Sequence, residues 1–310
     1  MNKRVRETLR VGIAEVEAGL SKIHSAQKLM EVAGGRAEEP KVEIKRPEPN
    51  AMAGRIFFAF LPRAITPIGR DRCIMRLSQS IYWRGGEYKL QANGDALRQA
   101  LAKTNEDLAI VHNCEGSVHA AAFDPSAADH DEALAMYHEI IDIAKEERPD
   151  LLHGIYGFPY WSIYDPAGAW MTDSRDATRE LTQRMDFVIP SGYDRIPWPK
   201  RSNEEEAEKL RQNVELIHDK VLLKRQPLVV AVNPRRVGVQ PEAPLHRDEF
   251  RSNIRALRRG FDDIGQPPSV YVWNISSTWT PGSEKFEGDA DSTTHDEAWW
   301  YEIAREELFG

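Results

Sequence analysis

Four short segments place polar or aromatic side chains where strands of this chain are expected to end: Asn113-Cys114-Glu115, Gly154-Ile155-Tyr156-Gly157-Phe158-Pro159, Pro190-Ser191-Gly192-Tyr193 and Val272-Trp273. On the first, strand alternation sets Val111, Asn113 and Glu115 on one face. A carboxylic acid two residues beyond an amide suits glycosidic cleavage. The acid can protonate a leaving oxygen while the amide orients a neighbouring group on the sugar. Taken alone, Glu115 reads more readily as a loop carboxylate before Gly116. Tyr156 and Tyr193 offer hydroxyl donors, and Trp273 offers an indole face on which a pyranose can stack. Tyr160, Trp161, Ser191, Asp194, Asn233 and Arg235 complete the residues expected to touch substrate. Trp170, Trp198 and Trp279 lie in expected loops, where they extend the groove or simply anchor their loops.

The elements that must position these residues alternate between strand and helix. Apolar runs over 56–61, 73–82, 108–111, 151–158, 187–190, 228–232 and 270–273 read as strands. Many are nearly continuous in Val, Ile, Leu and Phe, as in a parallel sheet covered on both faces. Helical patterns fall over 95–103, 131–147, 176–185, 203–223, 247–264 and 296–308, with Ser202 and Glu205 fitting a capping box on the fourth. The expectation is an α/β fold: a distorted (β/α) TIM-like barrel of about seven strands, with catalytic groups at the C-terminal strand ends. A doubly wound open sheet is the alternative, and the lack of a glycine-rich phosphate loop after the first strand disfavours it.

Three segments organise the chain: an N-terminal amphipathic helix over 1–32, a linker over 33–51 and the barrel domain over 52–310. Leu9, Ile13, Val16, Leu20 and Ile23 recur at heptad spacing, so the helix packs on its own barrel or pairs with another copy. A homo-oligomer through this helix is one expected outcome. The linker carries glycines, prolines and many charges.

A formal net charge of -8 argues against general attraction to nucleic acid or to an anionic membrane surface. Two cysteines cannot form a disulfide framework, and alternation turns Cys114 away from the barrel interior as an inert buried thiol. No signal region and no bilayer-spanning run is legible, which gives a soluble chain of unknown localisation. No metal-binding pair of histidines with a following glutamate, no Cys-x-x-Cys and no Gly-x-Ser-x-Gly elbow occurs, and no metal or cofactor is expected. His112 should face the helix layer as a satisfied core histidine. Glu115 paired with Asp194 would make a two-carboxylate retaining glycosidase, but alternation opposes Asp194 to Tyr193.

The four segments, in this order and over roughly 108–280, resemble the hyaluronidase family, glycoside hydrolase family fifty-six. That family carries Asp-x-Glu, Gly-aromatic-Tyr-x-aromatic-Pro, Pro-Ser-x-Tyr and aliphatic-Trp at its strand ends, on a distorted barrel. The resemblance implies an endo-glycosidase acting on a polymer that contains N-acetylhexosamine, such as hyaluronan or chondroitin. It also implies a retaining mechanism in which the substrate's own acetamide attacks the anomeric carbon. Glu115 becomes general acid and then base, Tyr156 and Tyr193 position the acetamide, and Trp273 walls the pocket. Two departures stand out. Asn113 replaces the family's aspartate, and the animal enzymes are secreted and disulfide-linked whereas this chain has few cysteines. Asn-x-Glu does occur in endo-β-N-acetylglucosaminidases of family eighty-five, where the asparagine handles the acetamide. Asn113 thus fits a differently tuned enzyme, an inactive relative, or a substitution made to trap substrate. The alternative of another class is a noncatalytic glycan-binding or assembly protein that uses the same aromatic cleft.

Overall fold

The computed structural model describes residues 46–58, 72–73, 75–77, 93–104, 108–114, 117–159, 173–174, 176–192, 203–223, 226–233, 245, 247–272 and 297–310. The chain divides into two units, Met1–Ile44 and Lys45–Gly310, and every described residue belongs to the second. The heptad stripe and Ser202 lie outside the described residues.

In chain order the described elements are β1 (Ile56–Phe58), β2 (Arg72–Cys73), β3 (Met75–Leu77), α1 (Gly94–Ala102), β4 (Ala109–His112), α2 (Ser117–Phe123), α3 (His130–Glu147), β5 (Leu152–Ile155), α4 (Arg179–Arg184), α5 (Asn203–Lys220), β6 (Val230–Val232), α6 (Arg247–Asp263), β7 (Val270–Val272) and α7 (Glu297–Phe309). Every strand pair among them is parallel. The strands form two sheets, ordered β2-β1-β7-β6 and β3-β4-β5. Bridges Tyr156↔Ile189, Val188↔Leu228 and Ser191↔Ala231 run between β5 and β6, so the expected strand over 187–190 contributes single bridges rather than a ladder. On the other side, Ile74 alone separates β2 from β3. The helix α2 has no counterpart among the expected elements. It is seven residues long and buries Val118, Ala121, Ala122 and Phe123, a stretch too short to print a strong period.

Three apolar clusters hold the strands. One joins Phe57, Ala109, Val111, Leu152, Ile189, Ala231 and Tyr271, which share one face by alternation. The other two fill the space between the opposite strand face and the helices, with Ile110, Cys114 and Ile155 against α3, and Val230 and Val232 against α5 and α6. Inside the first cluster Gly154 makes room for an aromatic ring. A Cβ there would lie 2.7 Å from Phe187 Cε2 and 2.9 Å from the Phe187 carbonyl oxygen.

In the helix layer, Phe250, Ile254, Leu257 and Phe261 bury one stripe of α6. Gly260 lets α5 approach, since a Cβ would come 2.9 Å from Val214 Cβ. From the other side of α6, Arg251 reaches Glu306 at 3.0 Å and Arg255 reaches Glu307 at 2.5 Å on α7. These pairs are solvent-facing and add little beyond register. At the N-terminal strand ends, Asp186 accepts the His153 N–H at 2.8 Å and an Arg46 N–H at 2.5 Å, and Lys145 approaches at 3.2 Å. Arg46 also donates to the Leu151 carbonyl, at 3.3 Å. Met52 ends a 3-10 turn over Pro49–Met52 and is fully buried in the first cluster. Positions 46–51, expected to be linker, thus touch the strand layer directly.

His112 lies in the helix layer, as alternation requires, and is satisfied by a second histidine. Its Nε2 stands 3.2 Å from His153 Nδ1, while His153 Nε2 stands 2.9 Å from the Arg148 carbonyl. A carbonyl only accepts, so His153 carries its proton on Nε2 and His112 donates to Nδ1. Burial pushes both imidazoles down: His112 well below its ordinary value, and His153 from 6.5 to about 4. Both are therefore neutral when folded, whereas the unfolded chain protonates them near pH 6.5. Their contribution to stability is complete above that pH. It falls as pH drops from 6.5 towards 4, because the unfolded state alone takes up protons there.

Two outcomes follow for stability. Urea midpoints should be flat from neutral to weakly alkaline pH and fall steeply below pH 6.5. In His112→Gln, which keeps an N–H donor but does not titrate, the slope should shrink by about one proton. An unchanged slope would contradict the buried neutral pair. Separately, Gly154→Ala should cost about 1–3 kcal/mol by overpacking against Phe187. Adding Phe187→Leu should return part of that loss in the same denaturation assay.

Candidate active site

The face shared by Ala109, Val111, Leu152, Ile189, Ala231 and Tyr271 fixes where the strand-end residues point. Continuing each strand by twos puts Asn113, Tyr156, Ser191 and Asn233 on that same face. Tyr156 is itself a member of the cluster. Register aligns them further. Val111 is level with Gly154 and His112 with Ile155, so Asn113 stands level with Tyr156 at the next step. The Tyr156 N–H donates to the His112 carbonyl at 3.0 Å, and the Gly157 N–H donates to the Ile189 carbonyl at 2.8 Å. Ser191 pairs with Ala231, which pairs with Tyr271. The neutral polar groups thus ascend in steps around the strand ends.

Burial distinguishes them. Asn113 is 7% exposed, and its Oδ1 has no hydrogen-bond partner among the described residues. The same holds for Ser191 Oγ. A buried acceptor is costly unless a donor pairs with it. Tyr156 is 1% exposed, so its ring packs while its position near Asn113 is fixed by the backbone. Asn233 is also buried, and it borders a cleft with Gly192, Val232, Phe250 and Asn253. That cleft admits a volume of about 10 Å³, room for one water and not for a sugar.

Cys114 points the other way. It is fully buried with Ile110 and Ile155, and the Tyr137 hydroxyl donates to its carbonyl at 2.7 Å. Its burial is the one expected of it. Glu115, Tyr160, Trp161, Tyr193, Asp194, Arg235 and Trp273 lie outside the described residues, as do the loop tryptophans Trp170, Trp198 and Trp279. Among the described residues no group of His, Cys, Asp and Glu side chains could hold a metal ion, and no helix is long and apolar enough to cross a membrane.

His119, to which the sequence assigned no role, stands beside the site. Its ring lies against Gly157 and Phe158, immediately after Tyr156. The only hint available beforehand was the pair Gly154 and Gly157 within one motif. Each glycine faces a ring from a distant segment, and those partners are invisible without the fold.

No protein-family model matches the chain, and no curated protein sequence matches it. Among solved structures, the chain is similar to bee venom hyaluronidase over 60% of its length and 69% of that chain, at 18% identity and a TM-score of 0.45. It is similar to a GH18 chitinase from Pseudoalteromonas aurantia over 67% of this chain and 72% of that one, at 12% identity and a TM-score of 0.40. A GH128 endo-β-1,3-glucanase from Amycolatopsis mediterranei matches over 82% of this chain and 92% of its own, at 13% identity and a TM-score of 0.42.

Proposed function

We propose that this chain is a β/α-barrel endo-glycosidase that hydrolyses a polymer containing N-acetylhexosamine, with retention, using the substrate's acetamide as nucleophile. One observation carries the reading: a buried amide oxygen at Asn113 without a hydrogen bond among the described residues, level with Tyr156 at the strand ends. An acetamide N–H is a donor of the right kind for that oxygen. The parallel pairing and the single residue between β2 and β3 support joining the two sheets into one barrel.

In this mechanism the acetamide carbonyl oxygen attacks the anomeric carbon as the glycosidic bond breaks. Glu115 gives its proton to the leaving oxygen. Asn113 accepts the acetamide N–H, and Tyr156 and Tyr193 orient the group. Water then attacks the same carbon, Glu115 takes the water's proton, and the acetamide is regenerated with the original configuration. Trp273, Trp161 and Tyr160 supply stacking surface, and Ser191, Asn233 and Arg235 contact flanking sugars. Asp194 turns away if Tyr193 continues the alternation of Ile189 and Ser191. The acidic balance of the chain makes a neutral chitin-like polymer as reasonable a substrate as hyaluronan or chondroitin.

The test is turnover of hyaluronan, chondroitin and chitin oligosaccharides, with products followed by mass spectrometry and the first anomer by NMR. Glu115→Gln should lose about 10²–10⁴-fold, the range for a general acid. Asn113→Asp should gain about tenfold, because a charge-assisted hydrogen bond exceeds a neutral one by roughly 1 kcal/mol or more. Wild type inert on all three, with Asn113→Asp restoring nothing, would overturn the enzyme reading and leave a glycan binder. A product bearing a 4,5-unsaturated uronic acid would mean elimination instead of hydrolysis.

We further propose that the segment over 1–32 is a helix that pairs two copies of the chain. Light scattering should give a dimer for the full chain and a monomer for a chain beginning at Lys45. Equal numbers of copies in both would remove the helix as the pairing element.

A further inference from the structure

We propose that His119 is a positioning residue for the strand-end site and acts through Tyr156. Its kinetic consequence rests on the glycosidase reading, but its structural consequence does not. The argument starts from α2, which begins three residues after Cys114 and carries His119 in its first turn. The half-buried His119 ring meets the opposite strand end at Gly157, whose φ of 87° lies in the left-handed region. A Cβ at 157 would come 2.5 Å from His119 Cε1 and 2.6 Å from Nε2. The imidazole thus occupies the space that a side chain at this position would need. Gly157 is required both by its backbone angle and by its neighbour.

The same ring is seated in an aromatic group. Its centroid stands 4.5 Å from Phe123, 5.3 Å from Phe158 and 6.3 Å from Tyr137, each in an edge-on geometry. Phe158 in turn stands 4.7 Å from Phe123 and 4.9 Å from Tyr137. Tyr137 also donates to the Cys114 carbonyl at 2.7 Å, the peptide oxygen that follows Asn113. One packed group therefore grips the chain just after Asn113 and just after Tyr156. On the strand side, Tyr156 N–H and Gly157 N–H are tied to the His112 and Ile189 carbonyls. On the helix side, the His119 ring is the surface against which Gly157 rests. Removing it opens a void behind the peptide that follows Tyr156. The aromatic group can then relax into the void, and the tyrosine hydroxyl, at the far end of its ring, moves furthest. An aromatic ring of similar size should keep the void filled.

The full chain labelled with meta-fluorotyrosine provides an activity-independent readout by fluorine NMR. The Tyr156 resonance is the one lost in Tyr156→Phe, and Tyr271 and Tyr301 are identified likewise. In His119→Ala the Tyr156 signal should shift or broaden while those of Tyr271 and Tyr301 stay. His119→Phe should return it to the wild-type position. If His119→Ala does not fold, Gly157→Ala displaces the ring from the other side and should move the same resonance. A stationary Tyr156 signal, or one that moves together with Tyr271 and Tyr301, overturns the proposal.

Kinetics on whichever of the hyaluronan, chondroitin and chitin oligosaccharides wild type cleaves then separate positioning from mere packing. His119→Ala should lower kcat about 10- to 100-fold, the scale of a small misplacement near the reacting atoms. His119→Phe should recover most of it. The double variant His119→Ala, Tyr156→Phe should be no slower than Tyr156→Phe alone. Independent, multiplying losses would overturn action through Tyr156. If wild type cleaves no oligosaccharide, the glycosidase reading fails and the fluorine result decides the positioning claim by itself.

Discussion

Everything at the site depends on one constraint, the period of two along strands paired in parallel. A side chain at a strand end faces either the shared interior cluster or the helices, and there is no intermediate choice. Ala109, Val111, Ile189, Ala231 and Tyr271 commit their strands to one face deep in the structure. The residues that follow by twos inherit that commitment. A one-residue slip in β4 would bury Asn113 among α3 side chains and turn Cys114 towards the site. What prevents it is the opposite layer, where Ile110, Cys114 and Ile155 fill the contact with the helices. The strand-end residues of the candidate site are therefore held in register by residues outside it.

Glycine shows how packing and chemistry share a motif. In Gly154-Ile155-Tyr156-Gly157, only the tyrosine carries a functional group. Gly154 admits Phe187 to the interior, and Gly157 admits His119 from the helix side. Neither glycine touches a substrate on the proposed reading. Both decide where Tyr156 can stand, the first by setting how closely β5 approaches its neighbour and the second by letting the chain turn at once. Such spacing reads as a binding signature in a sequence, yet its cause lies in van der Waals contact with segments far along the chain.

The sequence made the alternation legible, and with it the strand positions of Asn113, Tyr156 and Cys114. It also made legible the helices from α3 to α7, because long stripes such as Phe250, Ile254, Leu257 and Phe261 on α6 report a buried face directly. Two kinds of feature escaped it. The helix α2 is seven residues long and buries Val118, Ala121, Ala122 and Phe123, a stretch too short to print a period. The extent of pairing escaped as well. Apolar residues at 157–158 and 187 continue their runs, but the backbone there leaves the ladder to meet loops and helices. Partners across long sequence separation, such as His112 with His153 or Asp186 with Arg46, leave no local pattern at all. His112 was readable as a core histidine from alternation alone, but the identity of what satisfied it was not.

The neutrality of Asn113 has a consequence for both stability and rate. At 7% exposure a carboxylate in its place would lose most of its hydration on folding, a cost far above that for an amide. The amide therefore suits the buried position in the resting protein. On the proposed mechanism the balance reverses as the acetamide closes on the anomeric carbon and positive charge builds up. A carboxylate would gain attraction in step with that charge, whereas an amide offers nearly the same hydrogen bond before and during the reaction. Interactions that do not strengthen towards the transition state hold substrate without accelerating it. On that mechanism Asn113 would favour firm binding over fast turnover, and Glu115 would supply the part of catalysis that depends on a proton.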